Sequence, residues 1–146
     1  MMRTMLVSAA LLLTVMGNAS AIDCFKETGT FTGGGSQYSN VDPEEAYDVE
    51  VTIGPNSYAY SRTYAANLKE SGKLEFICHE DGTMEWVGVA NGRGKWGVSG
   101  EYELDGQGAN YRSVVSLSVQ NGRTYLIMRN VFDDGIIVRY GEYGRK

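Results

Sequence analysis

Residues 78–86 read CHEDGTMEW. Nine positions hold a cysteine, the chain's only histidine and three carboxylates. The stretch is either a reactive or metal-binding cluster or a tight turn between two strands, and alternation decides between them. With a three-residue loop, Glu80-Asp81-Gly82, Gly82 takes the left-handed position of a type I turn followed by a G1 bulge. His79 then faces Thr83, Cys78 faces Met84 and Phe76 faces Trp86. Leu74, Phe76, Cys78, Met84 and Trp86 share one apolar face, and Glu75, His79, Thr83 and Glu85 share the other. A two-residue loop would set Cys78 opposite Glu85 and mix the faces. A one-residue slip moves a whole strand's side chains to the wrong side, so the three-residue loop is expected. Cys78 and His79 then point apart and do not form a Cys–His pair.

The same grammar runs through the chain. Asn121-Gly122 is a two-residue hairpin signal. Gly54-Pro55-Asn56, Asn91-Gly92-Arg93-Gly94, Asp105-Gly106-Gln107-Gly108 and Asp133-Asp134-Gly135 read as further turns, the last with the 78–86 geometry, aligning Met128, Asn130 and Phe132 with Ile136, Val138 and Tyr140. No convincing helical period is present, and ten tyrosines and 19 glycines accompany the alternation, a β pattern. About nine strands are expected: 24–32, 46–53, 57–65, 73–79, 83–90, 95–104, 110–120, 123–132 and 135–143. Short connections make sequence neighbours pair antiparallel. Closing the meander removes its two edges, so an all-β up-and-down barrel of about 8–9 strands is expected, with a two-sheet β-sandwich as the alternative. Residues 33–45, GGGSQYSNVDPEE, read as a lid loop after the first strand. Asp42-Pro43-Glu44-Glu45 inside it reads as a helix start, with Asp as N-cap and Pro at the first position. Residues 66–72 read as a further turn.

The ends and the charge bound the setting. Residues 5–16 are almost wholly apolar, and Ala19-Ser20-Ala21 follows with the small residues of a cleavage site. The apolar run falls short of the roughly 20 residues that cross a bilayer, so residues 1–21 read as a secretory signal peptide. Residues 22–146 then form one domain, exported to a periplasm or secreted. Asp23 before Cys24 does not suit a lipobox. The full chain carries a formal net charge of −5, one unit more negative without Arg3, which disfavours nucleic acid and anionic membrane surfaces as partners. Two cysteines, Cys24 and Cys78, allow one intramolecular pairing in an oxidising compartment.

The most informative strand is SYAYSRTYAA, residues 57–66. Tyr58, Tyr60, Arg62 and Tyr64 recur at every second position and share a face. Facing inward, they make an amphipathic wall with one fixed cation, suited to a ligand with an apolar body and an acidic group. Facing outward, they make a stripe suited to a protein partner. In a third reading the rings pack across strands and Arg62 pairs with a surface acid. Trp86 and Trp96 fall on apolar faces. Glu101 and Glu103 read as solvated, and no nucleophile–base set, phosphate loop or metal-ligand spacing stands out; no catalytic residue, metal or cofactor is expected.

A leader, a compact meander and a covered opening resemble the calycin group of barrels: lipocalins, fatty-acid-binding proteins and small bacterial lipocalin-like proteins. Gly94-Lys95-Trp96 matches the lipocalin G-x-W, although it begins about the sixth strand here and not the first. Arg62-Thr63-Tyr64 and Arg123-Thr124-Tyr125 have the spacing of the Arg-x-Tyr pair with which fatty-acid-binding proteins hold a carboxylate, although neither lies on the last strand. The resemblance implies a non-enzymatic protein that carries or senses a small amphipathic or hydrophobic ligand, with Tyr58, Tyr60, Arg62, Tyr64, Trp86, Trp96, Arg123 and Tyr125 as candidate contacts. A periplasmic protein-binding module, such as an inhibitor or immunity-type protein, is the alternative.

Overall fold

The 78–86 hairpin forms in the register that its apolar face demands. In the computed structural model, which describes residues 22–40 and 42–146, Cys78 pairs with Met84 and Phe76 with Trp86. Gly82 has φ +86°, its N–H donates to His79 O (3.1 Å), and His79 N–H donates to Thr83 O (2.9 Å). Asp81 Oδ1 accepts from both Thr83 N (2.9 Å) and Thr83 Oγ1 (2.6 Å), which fixes the turn. His79 sits outside beside Glu85 while Cys78 points into the core. The proposed signal peptide, residues 1–21, lies outside the described residues.

Ten antiparallel strands among the described residues close into a barrel. They are β1 (Gly29–Ser39), β2 (Glu45–Gly54), β3 (Ser57–Thr63), β4 (Lys69–Cys78), β5 (Thr83–Gly88), β6 (Asn91–Trp96), β7 (Glu101–Gln107), β8 (Tyr111–Gln120), β9 (Arg123–Phe132) and β10 (Gly135–Arg145). Each pairs with its sequence neighbours, and β1 closes the cylinder on β10 with Gly35 opposite Gly141. The class matches the sequence reading, and the sandwich alternative falls. Among the described residues no helix is long and apolar enough to cross a membrane.

Four local expectations are corrected. The expected first strand, 24–32, is displaced: Cys24 and Phe25 are buried in the core, and β1 begins at Gly29. The expected lid, 33–45, is mostly strand in its described residues, with bends at Asn40 and Asp42 and no helix at Asp42-Pro43-Glu44-Glu45. Its glycines are there for close approach: a Cβ on Gly35 would collide with Tyr140 O and with the Tyr47 ring, which leans across β1 so that its hydroxyl reaches Tyr140 O at 2.8 Å. The expected strand 95–104 is two strands, because Gly97–Gly100 turns the chain and Asn91–Trp96 pairs where a loop was expected; β7 likewise runs on through Asp105-Gly106-Gln107. Finally, Asp133-Asp134 is a two-residue loop, so Met128 pairs with Arg139 and Asn130 with Ile137. That slip by one residue turns Arg139 inward.

One end of the barrel is plugged. Phe25 packs edge-on against Phe76 with centroids 5.3 Å apart and tilts against Tyr102 at 4.7 Å. Phe25 N–H donates to Pro55 O (3.0 Å), Asn56 Nδ2 to Ile22 O (3.0 Å), and the Tyr102 hydroxyl to Cys24 O. A Cys24–Cys78 disulfide with Cα atoms 5.5 Å apart anchors the plug to β4, a spacing ordinary for such a bond. Burial raises the Tyr102 hydroxyl to about 12, so it stays a donor at any physiological pH.

Candidate ligand-binding site

Strand alternation puts Tyr58, Tyr60 and Arg62 of β3 inside the barrel, and Tyr64 follows them at the end opposite the plug. There a cavity of about 300 Å³ remains. Leu74, Trp86, Ala90, Val115, Met128 and Phe132 form its apolar wall, and Arg62, Glu70, Asn130 and Arg139 give it polar groups. Large rings lie over glycines, Tyr60 over Gly72 on the next strand and Trp86, across β6, over Gly106 on β7. This packing fills the middle of the barrel and confines the cavity to the open end.

Arg62 is the pivot. It is 2% exposed, and its guanidinium lies over the Tyr60 ring at 4.1 Å and the Tyr47 ring at 5.8 Å, a cation–π arrangement strongest where water is excluded. Its Nη1 meets Glu70 Oε2 at 3.2 Å. Its Nε has no hydrogen-bond partner among the described residues, and neither has Asn130 Oδ1, in a residue 7% exposed. Buried polar atoms of this kind are rare because each costs about 1–3 kcal/mol, and both residues line the cavity.

Arg139 reaches the same cluster from β10. Its Nε donates to Gln37 Oε1 (2.6 Å) and its Nη2 stands 3.8 Å from Glu70 Oε1. The Tyr64 hydroxyl lies 2.9 Å from Gln37 Oε1 and 3.0 Å from Glu70 Oε2 and donates its one proton to either. Burial alone raises the Glu70 carboxyl, but Arg139, Arg62 and the Tyr64 hydrogen bond together hold it below its ordinary value. Burial raises the Tyr60 and Tyr64 hydroxyls, against the opposing pull of Arg62 and Arg139. Burial likewise raises Tyr58, beneath the cluster, far above the tyrosine range. Two cations face one carboxylate, so the site carries one net positive charge inside an acidic protein.

Of the sequence candidates, Tyr60, Arg62, Tyr64 and Trp86 gather around this cavity, and Tyr58 lies below it. Three others lie elsewhere. Trp96 is at the plugged end, its Nε1 donating to His79 O (2.9 Å). Arg123 faces solvent and pairs with Glu142 at 2.6 Å. Tyr125 is an exposed ring on the outer face of β9. Inward-facing residues of β9 alternate through Thr124, Leu126 and Met128, and that parity puts the second Arg-x-Tyr outside. Glu70, Arg139, Gln37 and Asn130 were not among the candidates. Alternation in 69–78 marks Glu70 as sharing a face with Leu74 and Phe76, a signal masked by the reading of 66–72 as a turn.

No family model and no curated relative matches the chain. Among solved structures the barrel is similar to the S-type phycobiliprotein lyase CPES from Guillardia theta, with a TM-score of 0.65 and 8% identity, covering 82% of this chain and 88% of that one. At that identity the likeness is one of fold alone, a closed antiparallel barrel.

Proposed function

We propose that this chain is an exported binding protein without catalytic activity of its own, which carries or senses a small amphipathic ligand in the open end of its barrel. One observation carries the reading: a buried arginine with an unpartnered Nε lines a cavity whose remaining wall is largely apolar. A ligand with an apolar body and an acidic head group would satisfy both halves, since Arg presents paired donors to carboxylates. The likeness to a phycobiliprotein lyase supports the barrel as the frame, and the cavity residues supply the ligand chemistry. Among calycin barrels, the leader and short chain resemble the small bacterial lipocalin-like proteins. Export is supported by the apolar leader with its small-residue cleavage pattern and by a disulfide suited to an oxidising compartment.

Native mass spectrometry after mild purification tests the reading, together with uptake of a fluorescent fatty acid. The expected result is one small molecule per chain, or saturable uptake that a cavity-filling Val115→Trp abolishes. An empty protein that takes up nothing rejects it. Sequencing of the exported protein should begin at Ile22. A protein-binding role is a second reading, favoured by Ile127 and Tyr140, which pair across β9 and β10 and are both exposed on the outer face. Pull-down with Ile127→Lys tests it. The Tyr/Arg stripe is no part of that surface, because it faces inward.

A further inference from the structure

We propose that Glu70 is a built-in competitor for the ligand's head group: a monoanionic amphiphile binds by taking the place of the Glu70 carboxylate between Arg62 and Arg139. This rests on the reading of the cavity as a ligand site, and adds to it the charge of the ligand and the residue that sets selectivity.

The two cations are enclosed, and the anion that they share stands partly in water. Arg62 is stacked on Tyr60 and almost wholly enclosed. Arg139, its side chain 11% exposed, is tied by Nε to Gln37 and by Nη1 to Met128 Sδ at 3.8 Å. Glu70 is the second residue of β4, directly opposite Arg62 in register, and its side chain is 42% exposed. It follows a turn in which Ala66 and Asn67 have φ of 61° and 58°. Rotating its carboxylate into water moves no other buried charge. Removing it with nothing in its place leaves two arginines unpaired in a cavity, which is unfavourable. A single negative head group entering from the open end restores the balance, and it gains the unpartnered Arg62 Nε as a donor. A neutral amphiphile gains only the apolar wall and leaves Glu70 where it is.

The exchange has a pH signature. The charged and titratable groups facing Glu70 are Tyr60, Arg62 and Tyr64 from the β3 side and Arg139 from β10. In the free protein the arginines hold Glu70 below its ordinary 4.5; in the complex Glu70 has left them and titrates closer to that value. The complex therefore binds more protons in this range, and affinity for a permanently charged anion rises as pH falls through it. The arginines and tyrosines keep their protons throughout.

Calorimetric titration of the disulfide-intact mature chain with octanesulfonate, a fixed monoanion, and octanol, a neutral chain of the same length, tests the exchange. Glu70→Gln should raise octanesulfonate affinity about tenfold or more, the scale of one charge-assisted hydrogen bond, and change octanol affinity less than about twofold. Wild type should bind octanesulfonate more tightly at pH 4 than at pH 6 in high salt, where distant charges are screened, and Glu70→Gln should lose that dependence. The wild-type pH series stands even where the variant folds poorly. An equal gain for both ligands makes Glu70 a steric obstacle and overturns the proposal, as does binding that is indifferent to Glu70 and to pH. Failure of both ligands to bind either protein overturns the underlying ligand-site reading as well.

Discussion

Arg62 is secured by rings as much as by its carboxylate. Its partner Glu70 is partly in water, and a second cation, Arg139, stands ready to take that carboxylate alone. Replacement of Arg62 by Met, which keeps volume and apolar contact, should therefore shift stability by no more than about 1 kcal/mol in urea denaturation, since removing a buried charge in favour of a well-packed apolar group is often neutral. The same variant should lose octanesulfonate binding by tenfold or more and keep octanol binding. A large stability loss would make Arg62 structural and not a ligand group. Acid reports on the partner. Glu70 sits below its ordinary value when folded, so its contribution is present above that value and is lost as pH falls through the folded one. Arg139→Gln combined with Arg62→Met removes the cations that depress it and should flatten the acid limb of a stability-against-pH curve. That Tyr58, Tyr60, Arg62 and Tyr64 share a face was legible from the alternation along residues 57–64, but alternation alone leaves open whether that face is the inner one. Arg139 was not legible, since a loop shorter by one residue at Asp133-Asp134 decides which way it points, and both loop lengths suit those residues.

At the level of elements, turns and close approaches set the architecture. The Glu80-Asp81-Gly82 turn was legible because only one register keeps Cys78 and Trp86 on the same side. Alanine at Gly82, with φ +86°, should cost roughly 1–2 kcal/mol, read as a shift in urea midpoint with unchanged slope. The β1–β10 seam was not legible. Gly33-Gly34-Gly35 reads as a loop by composition, yet inside a strand such glycines mark backbone approach. Gly35→Ala should be the more damaging of the two alanines, because its methyl meets the Tyr140 carbonyl and the Tyr47 ring, neither of which is a free side-chain end. The plug depends on another constraint. Cys24 and Cys78 are 54 residues apart, and a link across such a loop stabilises by about 4 kcal/mol on the chain-entropy account. Cys24→Ala with Cys78→Ala should lower stability by about that amount. Hydrogen exchange should quicken first at the amide of Phe25 and at its neighbours, well before β7, β8 or β9, since the plug joins the barrel through that bond, a few hydrogen bonds and two aromatic contacts.

For the molecule as a whole, sequential antiparallel pairing makes a cylinder with two unlike ends. Residues 22–28 and the Phe25, Phe76 and Tyr102 rings fill one end, and rings laid over glycines fill the middle. What is left at the other end is about 300 Å³, some ten water volumes at roughly 30 Å³ each. A barrel open throughout would reward ever longer chains. This one sets a limit. In a series of linear alkanesulfonates, affinity should rise by about 0.8 kcal/mol for each methylene buried until the cavity is full, at roughly ten chain atoms, and then level off as further methylenes remain in water. Phe76 packs against Phe25 in the plugged end, and truncating it to alanine should lengthen the ligand at which the plateau begins while lowering stability by about 3–5 kcal/mol. Calorimetry across the series gives both slope and break point. A slope that continues unbroken to long chains would mean that the plug yields to the ligand, and the container would then be the full length of the barrel and not its open end.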